Sequence, residues 1–300
     1  MDISIIGVPI FYGADKRGPE QGPSKLREKN VVEVIGKHGH RVFDFGDLFV
    51  PTVKECNKFF SHPNMKYLEP IIQVNNNLAH IVYSSIKGGS FPLVIGGDHS
   101  IGLGSTAGVS KAHENFAVVW ADAHGDINTQ STSESGNVHG MSLAKAMGLG
   151  YDDLTDVYFK GRKIAPENVF IVGARDLDPG EYKYIKEENL NVYTTKRIAE
   201  KGIEHVVNEV IENLKDRNID IVHLSFDIDF IDATFVPGTG TAVKNGPSIE
   251  DAKTFLKMLA ETKLVKSMDF VELNPLLDKN DATADLAIEL LDWTFKYMNL

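Results

Sequence analysis

Three short apolar runs in this 300-residue chain each end in a cluster of aspartate and histidine, and this restricts the possible folds more than any other feature. Phe116-Ala-Val-Val leads into Trp120-Ala-Asp-Ala-His-Gly-Asp126. Pro92-Leu-Val-Ile leads into Gly96-Gly-Asp-His-Ser100, and Ile221-Val-His-Leu leads into Ser225-Phe-Asp-Ile-Asp229. Runs of this length and composition read as strands buried on both faces, as in a parallel sheet. Asp122, His124 and Asp126 then fall at i, i+2 and i+4, which on extended backbone places all three on one side. Unpaired carboxylates are costly to bury at such a position, and a divalent cation offsets that cost. Together the three stretches carry enough carboxylates and imidazoles for two ions side by side.

Between these strands the pattern is helical. A helix is expected from Pro23 to about Lys37, with Pro23 in its first turn. Another is expected from about Met65 to Lys87, with Pro70 near its start or kinking it, ended by Gly88-Gly89. Further helices are expected from about Ser100, from Met141, after Arg175–Glu181, and over Ile203–Arg217, Ser248–Glu261 and Ala282–Tyr297. Strands are expected at Ile3–Val8, Arg41–Phe45, Asn168–Val172, Asn191–Thr194, Asp220–Phe226 and Ser267–Val271. Alternating strands and helices indicate one α/β domain over residues 1–300, a three-layer α/β/α arrangement with a mostly parallel sheet of about eight strands. Ligands of such sheets bind beyond the carboxyl ends of the strands, where all the candidate residues lie.

A formal net charge of −11 speaks against nucleic acid or an anionic membrane as the partner. Cys56 is the only cysteine, so no intrachain disulfide is expected, which suits a reducing cytoplasm. The opening Met1-Asp-Ile-Ser-Ile-Ile-Gly-Val has no basic region ahead of its short apolar run, unlike a secretory signal.

Seven histidines (His38, His40, His62, His80, His113, His205 and His223) read as ordinary structural residues. His99, His124 and His139 differ, because each sits in a loop dense in Gly, Asp or Asn near a strand end. A carboxylate-rich set with imidazoles leans towards Mn²⁺ over a thiolate-type zinc site, with Fe²⁺, Co²⁺ and Zn²⁺ open. Two ions roughly 3.5–4 Å apart can share a water, lower its pKa and hold it for attack, which is hydrolytic chemistry. The loop from Gly125 to Val138 is rich in Ser, Thr, Asn and Gly and is too long for a mere connection.

Gly96-Gly-Asp-His-Ser, Asp122-Ala-His-Gly-Asp-Ile-Asn, Ser225-Phe-Asp-Ile-Asp and Pro237-Gly-Thr-Gly-Thr241 together resemble the ureohydrolase superfamily. Ser135-Gly-Asn-Val-His-Gly140, Arg175-Asp-Leu-Asp-Pro-Gly-Glu181 and Glu272-Leu-Asn-Pro275 are similar to arginase motifs in particular. The resemblance implies an arginase-like fold and two Mn²⁺ per subunit. One ion would be held by His99, Asp122, Asp126 and Asp227, the other by Asp122, His124, Asp227 and Asp229. It also implies attack on the guanidinium carbon of L-arginine by a hydroxide between the metals, giving L-ornithine and urea. His139 matches the histidine that shuttles a proton to the leaving amine, Glu272 the acid that orients the guanidinium, and Thr241 lies near it; Asp126 joins them as a candidate catalytic group. Asn128, Ser133, Ser135 and Asn137 match positions at the α-carboxylate, Asp178 and Glu181 those facing the α-ammonium. The partners implied are a small-molecule substrate and further copies of the chain, as a trimer or hexamer. An agmatinase or other guanidino-hydrolase would share every metal ligand, and a catalytically silent metal-binding homologue is the reading from another class.

The chain departs from the family pattern at Phe230, at Ala233 and at Ala242, where a small residue and two prolines are usual. A looser loop and a cleft narrowed by Phe230 are expected. Near Glu250-Asp251 the arginine common in arginase subunit contacts is missing.

Overall fold

The computed structural model of the chain describes residues 1–298. Eight strands, β1 (Asp2–Val8), β2 (Arg41–Asp47), β3 (Phe91–Gly96), β4 (Ala117–Ala121), β5 (Val169–Val172), β6 (Asn191–Tyr193), β7 (Val222–Asp227) and β8 (Val265–Val271), form one sheet. Their order is β2-β1-β3-β8-β7-β4-β5-β6, and all seven strand pairs are parallel. The helices are α1 (Gly22–Glu28), α2 (Val31–Gly36), α3 (Leu68–Lys87), α4 (Gly102–Ala112), α5 (Ser142–Ala146), α6 (Asp152–Thr155), α7 (Pro179–Glu187), α8 (Thr195–Lys201), α9 (Ile203–Asp216), α10 (Ile249–Glu261) and α11 (Ala282–Tyr297).

Alternation along the strands builds two cores, one on each face of the sheet. Leu93 and Ile95 of β3 and Val119 and Ala121 of β4 pack with Leu26, Val207, Phe255 and Leu290 on one face. Val94, Val118 and Trp120 pack with Ile71, Leu78, Leu103 and Leu143 on the other. A strand sandwiched between helical layers needs apolar residues at nearly every position, which is why the runs look continuous.

The segment expected as one helix from Pro23 to Lys37 is two. Asn30 takes a left-handed backbone, φ 59°, between α1 and α2. α3 begins at Leu68 after Tyr67, also left-handed, so Met65 lies outside it and Pro70 sits in its first turn without a kink. α6 and α8 were not anticipated; each is seven residues or shorter, too short to show a helical period in sequence. Among the described residues no helix is long and apolar enough to cross a membrane.

Four neighbouring central strands, β3, β8, β7 and β4, end side by side. His99 follows β3, Asp122 to Asp126 follow β4, Asp227 closes β7 and Glu272 follows β8. The sheet order therefore gathers residues more than 170 positions apart.

Candidate active site

His99 stands where its ring is held from two sides. Its imidazole stacks on Trp120 with ring centroids 4.0 Å apart and planes 6° from parallel. Its Nε2 lies 2.8 Å from Ser225 Oγ, leaving Nδ1 aimed at three carboxylates: Asp122 Oδ2 at 2.9 Å, Asp126 Oδ2 at 3.2 Å and Asp227 Oδ2 at 3.3 Å. On the other side of Asp122, His124 Nδ1 lies 3.2 Å from Asp122 Oδ1 and 3.2 Å from Asp229 Oδ2. Asp122 thus turns one oxygen to each histidine. Two groups, His99 with Asp122 and Asp227 and Asp122 with His124 and Asp229, each bring their ligand atoms within 4.8 Å of one another.

The electrostatics fit cations between these groups. Burial, then the neighbouring carboxylates, push the carboxyl groups of Asp227 and Asp229 up, and burial with Asp122 does the same to Asp126. Asp122 is held low despite its burial, by the two imidazoles. His99 Nδ1 and Asp126 Oδ2 are buried with no hydrogen-bond partner. Orphaned donor and acceptor atoms converging on one point are the arrangement a divalent ion satisfies, and the oxygen-and-imidazole set suits a hard or borderline metal.

Backbone amides fix the carboxylates. Asp122 Oδ1 accepts from His124 N at 2.7 Å, Asp229 Oδ1 from Ala123 N at 3.1 Å and Asp227 Oδ1 from Asp229 N at 2.8 Å. Asp126 takes φ 52°, a left-handed backbone that costs roughly 1–3 kcal/mol in a non-glycine residue and turns the chain away from β4.

Behind His99 runs a buried polar ladder. Ser225 Oγ donates to Asp269 Oδ2 at 3.3 Å, Ser105 Oγ donates to the same oxygen, and His223 bridges Asp269 Oδ2 at 3.2 Å and Ser267 Oγ at 2.9 Å. All five are at most 2% exposed. A ligand histidine whose other nitrogen is tied this way has a fixed tautomer and orientation.

In front of these candidate metal ligands opens a cleft of about 140 Å³. His124, Asp126 and His139 line its floor, with Thr241 and Asp176 beside them. Asn128, Ser133, Ser135 and Asn137 line one wall from the 125–138 loop, and Asp178 and Glu181 line it from the start of α7. Asn128 Nδ2 donates to Asp178 Oδ2 at 2.7 Å. Glu181 spends both oxygens on backbone, Oε1 on Ile127 N at 3.0 Å and Oε2 on Asp178 N at 2.9 Å, and burial lifts its carboxyl to about 7. Thr241 Oγ1 donates to Asp229 Oδ2 at 2.9 Å.

His139 Nδ1 lies 3.1 Å from Glu272 Oε1, and against the opposing effect of burial that carboxylate raises the imidazole to about 9. Glu272 Oε2 is buried without a partner.

Two expectations are corrected. Phe230 does not narrow the cleft: it is fully buried, packed between Phe255 and Phe226 at 5.2 and 5.6 Å. The segment after Asp229 is tied despite its missing prolines. Arg175 donates to the carbonyls of Gly173, Asp229, Phe230, Ile231 and Val243, and Asp232 Oδ2 accepts from Gly246 N. Sequence reasoning also passed over Trp120, Ser225, Asp269 and Asp98. Asp98 is buried and accepts from Gly13 N at 2.8 Å and Ser100 N at 3.0 Å. His223, read as an ordinary core histidine, belongs to the ladder behind His99. The period-2 spacing of His223, Ser225 and Asp227 was the available signal.

A sequence model of the arginase family matches residues 1–295. The arginase of Brevibacillus brevis is 43% identical over 294 residues, covering 98% of this chain and 97% of that one. Among solved structures, the native arginase of Bacillus caldovelox superposes with a TM-score of 0.93 at 40% identity, covering 98% of both chains. The arginase of Entamoeba histolytica in complex with L-ornithine gives 0.90 at 34% identity, covering 98% of this chain and 97% of that one.

Proposed function

The chain belongs to the arginase family of hydrolases, and from that premise we propose that it splits L-arginine into L-ornithine and urea with two Mn²⁺ per subunit. The observation that carries this reading is the cleft itself. One cleft brings a cation-seeking pole together with neutral hydrogen-bonding side chains flanked by carboxylates, groups that suit the two ends of one amino acid. Bound there by His99, Asp122, Asp126 and Asp227 on one side and Asp122, His124, Asp227 and Asp229 on the other, a pair of divalent cations would lower the pKa of water between them.

The chain's own groups do the rest. Glu272 Oε2, buried and unpartnered, is the acceptor for a guanidinium N–H, a charge-assisted bond that fixes the planar group. As a C–O bond forms at the guanidinium carbon and the bond from that carbon to the side-chain nitrogen breaks, the leaving amine takes a proton. His139 supplies it from Nε2, its Nδ1 being engaged by Glu272. Asn128, Ser133, Ser135 and Asn137 receive the α-carboxylate, and Asp178 with Glu181 balances the α-ammonium. Residues 1–300 act as one catalytic unit, in the cytoplasm and as a homo-oligomer of three or six copies.

The runner-up is agmatine hydrolysis, which the same metal ligands support; the wall of carboxylate-seeking donors favours the amino acid. A silent homologue would have no use for the His139–Glu272 pair. The deciding experiment is a urea-release assay over a panel of guanidino compounds with Mn²⁺ added. L-Arginine is expected to be cleaved fastest, and faster release from agmatine moves the assignment to the runner-up.

A further inference from the structure

Lys145 is a buried lysine that the proposed chemistry does not use. It lies on α5, the helix entered from the His139 turn, and is 0% exposed. Its Nζ donates to Gln130 Oε1 at 3.2 Å and to the Leu149 carbonyl at 2.9 Å. Burial alone lowers this amine to about 8, and among the described residues no carboxylate pairs with it. Sealing a cationic side chain away from water costs free energy unless its head is paired or hydrogen-bonded, and here two hydrogen bonds are its only partners among the described residues.

What they hold is the wall of the cleft. Gln130 Oε1 also accepts from Tyr151 N at 3.1 Å, so one side-chain amide joins α5, the 149–151 turn and the loop. Gly150 folds over the pair with φ +81°, and a Cβ there would run into both Lys145 Nζ and Gln130 Oε1. Between Gln130 and Gly136 the loop is held by its own short bonds, such as Ser133 N to Thr129 O at 2.9 Å and Gly136 N to Ser133 Oγ at 3.0 Å. Its far end is tied by Lys66, whose N–H donates to the Gly136 carbonyl at 3.0 Å and whose Nζ donates to Asn137 Oδ1 at 2.8 Å. Ser133 and Ser135, which face the cleft, hang on that stretch.

We propose that Lys145 is a positioning residue for substrate selectivity, acting through Gln130 to set the loop that receives the α-carboxylate. The proposal rests on the arginase reading of the cleft. It separates two functions of the site, since the candidate metal ligands stand at the ends of the sheet's strands while the stretch carrying Ser133 and Ser135 is anchored at its near end through one buried amine.

The test is Lys145→Met, with Gln130→Leu as a second variant on a half-buried position that leaves the core untouched, and the double variant. Expected are a KM for L-arginine and a Ki for L-ornithine raised on the order of tenfold, the effect of losing one anchoring interaction. The Ki of 1,4-diaminobutane, which is ornithine without its carboxylate, should stay unchanged, as should kcat and metal content. The two variants should be no worse together than singly. Equal weakening of both inhibitors, unchanged KM in both variants, or additive effects would overturn the proposal. A wild-type protein releasing no urea from L-arginine would overturn the arginase reading instead. Hydrogen exchange over residues 129–136 then decides: faster exchange in Lys145→Met supports the anchor, and unchanged exchange refutes it.

Discussion

One oxygen of Glu272 serves two partners on opposite sides: Oε1 lies 3.1 Å from His139 Nδ1 and accepts the backbone N–H of His99 at 2.8 Å. The carboxylate therefore ties the His139 imidazole to the backbone of His99, a candidate metal ligand. It can do so because Glu272 leaves β8 with φ 64°, a left-handed turn that a non-glycine residue adopts only where its surroundings impose it. The other oxygen is left for a third group.

His139→Asn should lower turnover by roughly 10²–10⁴-fold, the usual range for a general acid or base. Metal content should stay near that of the wild type, because His139 points at Glu272 and not at the carboxylates of the metal groups. Elemental analysis alongside kcat checks this. Full loss of metal would make His139 structural.

Asp122 gives one oxygen to each histidine, whereas His99 serves one side only. Active protein should hold about two ions per chain, the stoichiometry of a dinuclear site. Asp122→Asn should then lose more metal than His99→Asn when both are measured after the same dialysis. A single ion in fully active protein would end the dinuclear reading.

The layered fold and the cluster at the strand ends were legible because both follow from local pattern: apolar runs of strand length, and acids at a spacing of two just beyond them. The partners behind the cluster were not. Asp269 lies inside β8 between Met268 and Phe270, where its role depends on β8 pairing Ser225 with it across a register that no local signal reveals. Phe230 misled for the same reason. Proximity in sequence to Asp229 suggested the cleft, but the turn after β7 sends the ring to the opposite face, among residues of α10.

Phe230→Ala should accordingly be a stability variant. Removing a fully buried ring packed against Phe226 and Phe255 typically costs about 3–5 kcal/mol. Denaturant unfolding should show that loss, with KM for substrate unchanged at temperatures where the variant is folded. A shifted KM without a stability loss would return Phe230 to the cleft.

Lys163 gives a pH dependence remote from the metal cluster. Its amine is 4% exposed as a residue, is ringed by the carbonyls of Thr155, Phe159 and Gly161, and is lowered by burial from 10.5 to about 8, with Asp156 opposing. Between those two values the unfolded chain binds the proton more tightly, so this group makes stability rise with pH through that window. Below it the burial penalty stands in full. Lys163→Met lacks the effect. The stability of wild type relative to the variant should grow by on the order of 2 kcal/mol between about pH 7.5 and about pH 10.5. Paired urea titrations at the two pH values measure it, and a difference that stays flat refutes it.

L-Arginine and agmatine differ only by the α-carboxylate, so the wall of the cleft decides between them. Asn128 gives one amide hydrogen to Asp178 and keeps a second, while its own carbonyl is engaged by Thr132 Oγ1 at 2.9 Å. Ser133 and Ser135 face each other at 3.4 Å, a long contact that an arriving carboxylate would replace with better bonds. Agmatine would leave these donors without their acceptor, and a site built around hydrogen bonds rejects the analogue that lacks the group. Charge-assisted bonds of about 1.5–3 kcal/mol each amount to a preference of at least roughly 10²-fold in kcat/KM. Asn128→Ala should erode that preference by raising KM for L-arginine, since it removes both a donor and the neighbour that orients Asp178. Asp178→Ala should weaken L-arginine through the α-ammonium instead, leaving the discrimination at the carboxylate in place. Steady-state kinetics on both substrates with Mn²⁺-loaded protein separate the two effects, and equal kcat/KM for both substrates in the wild type would show that the wall does not read the carboxylate.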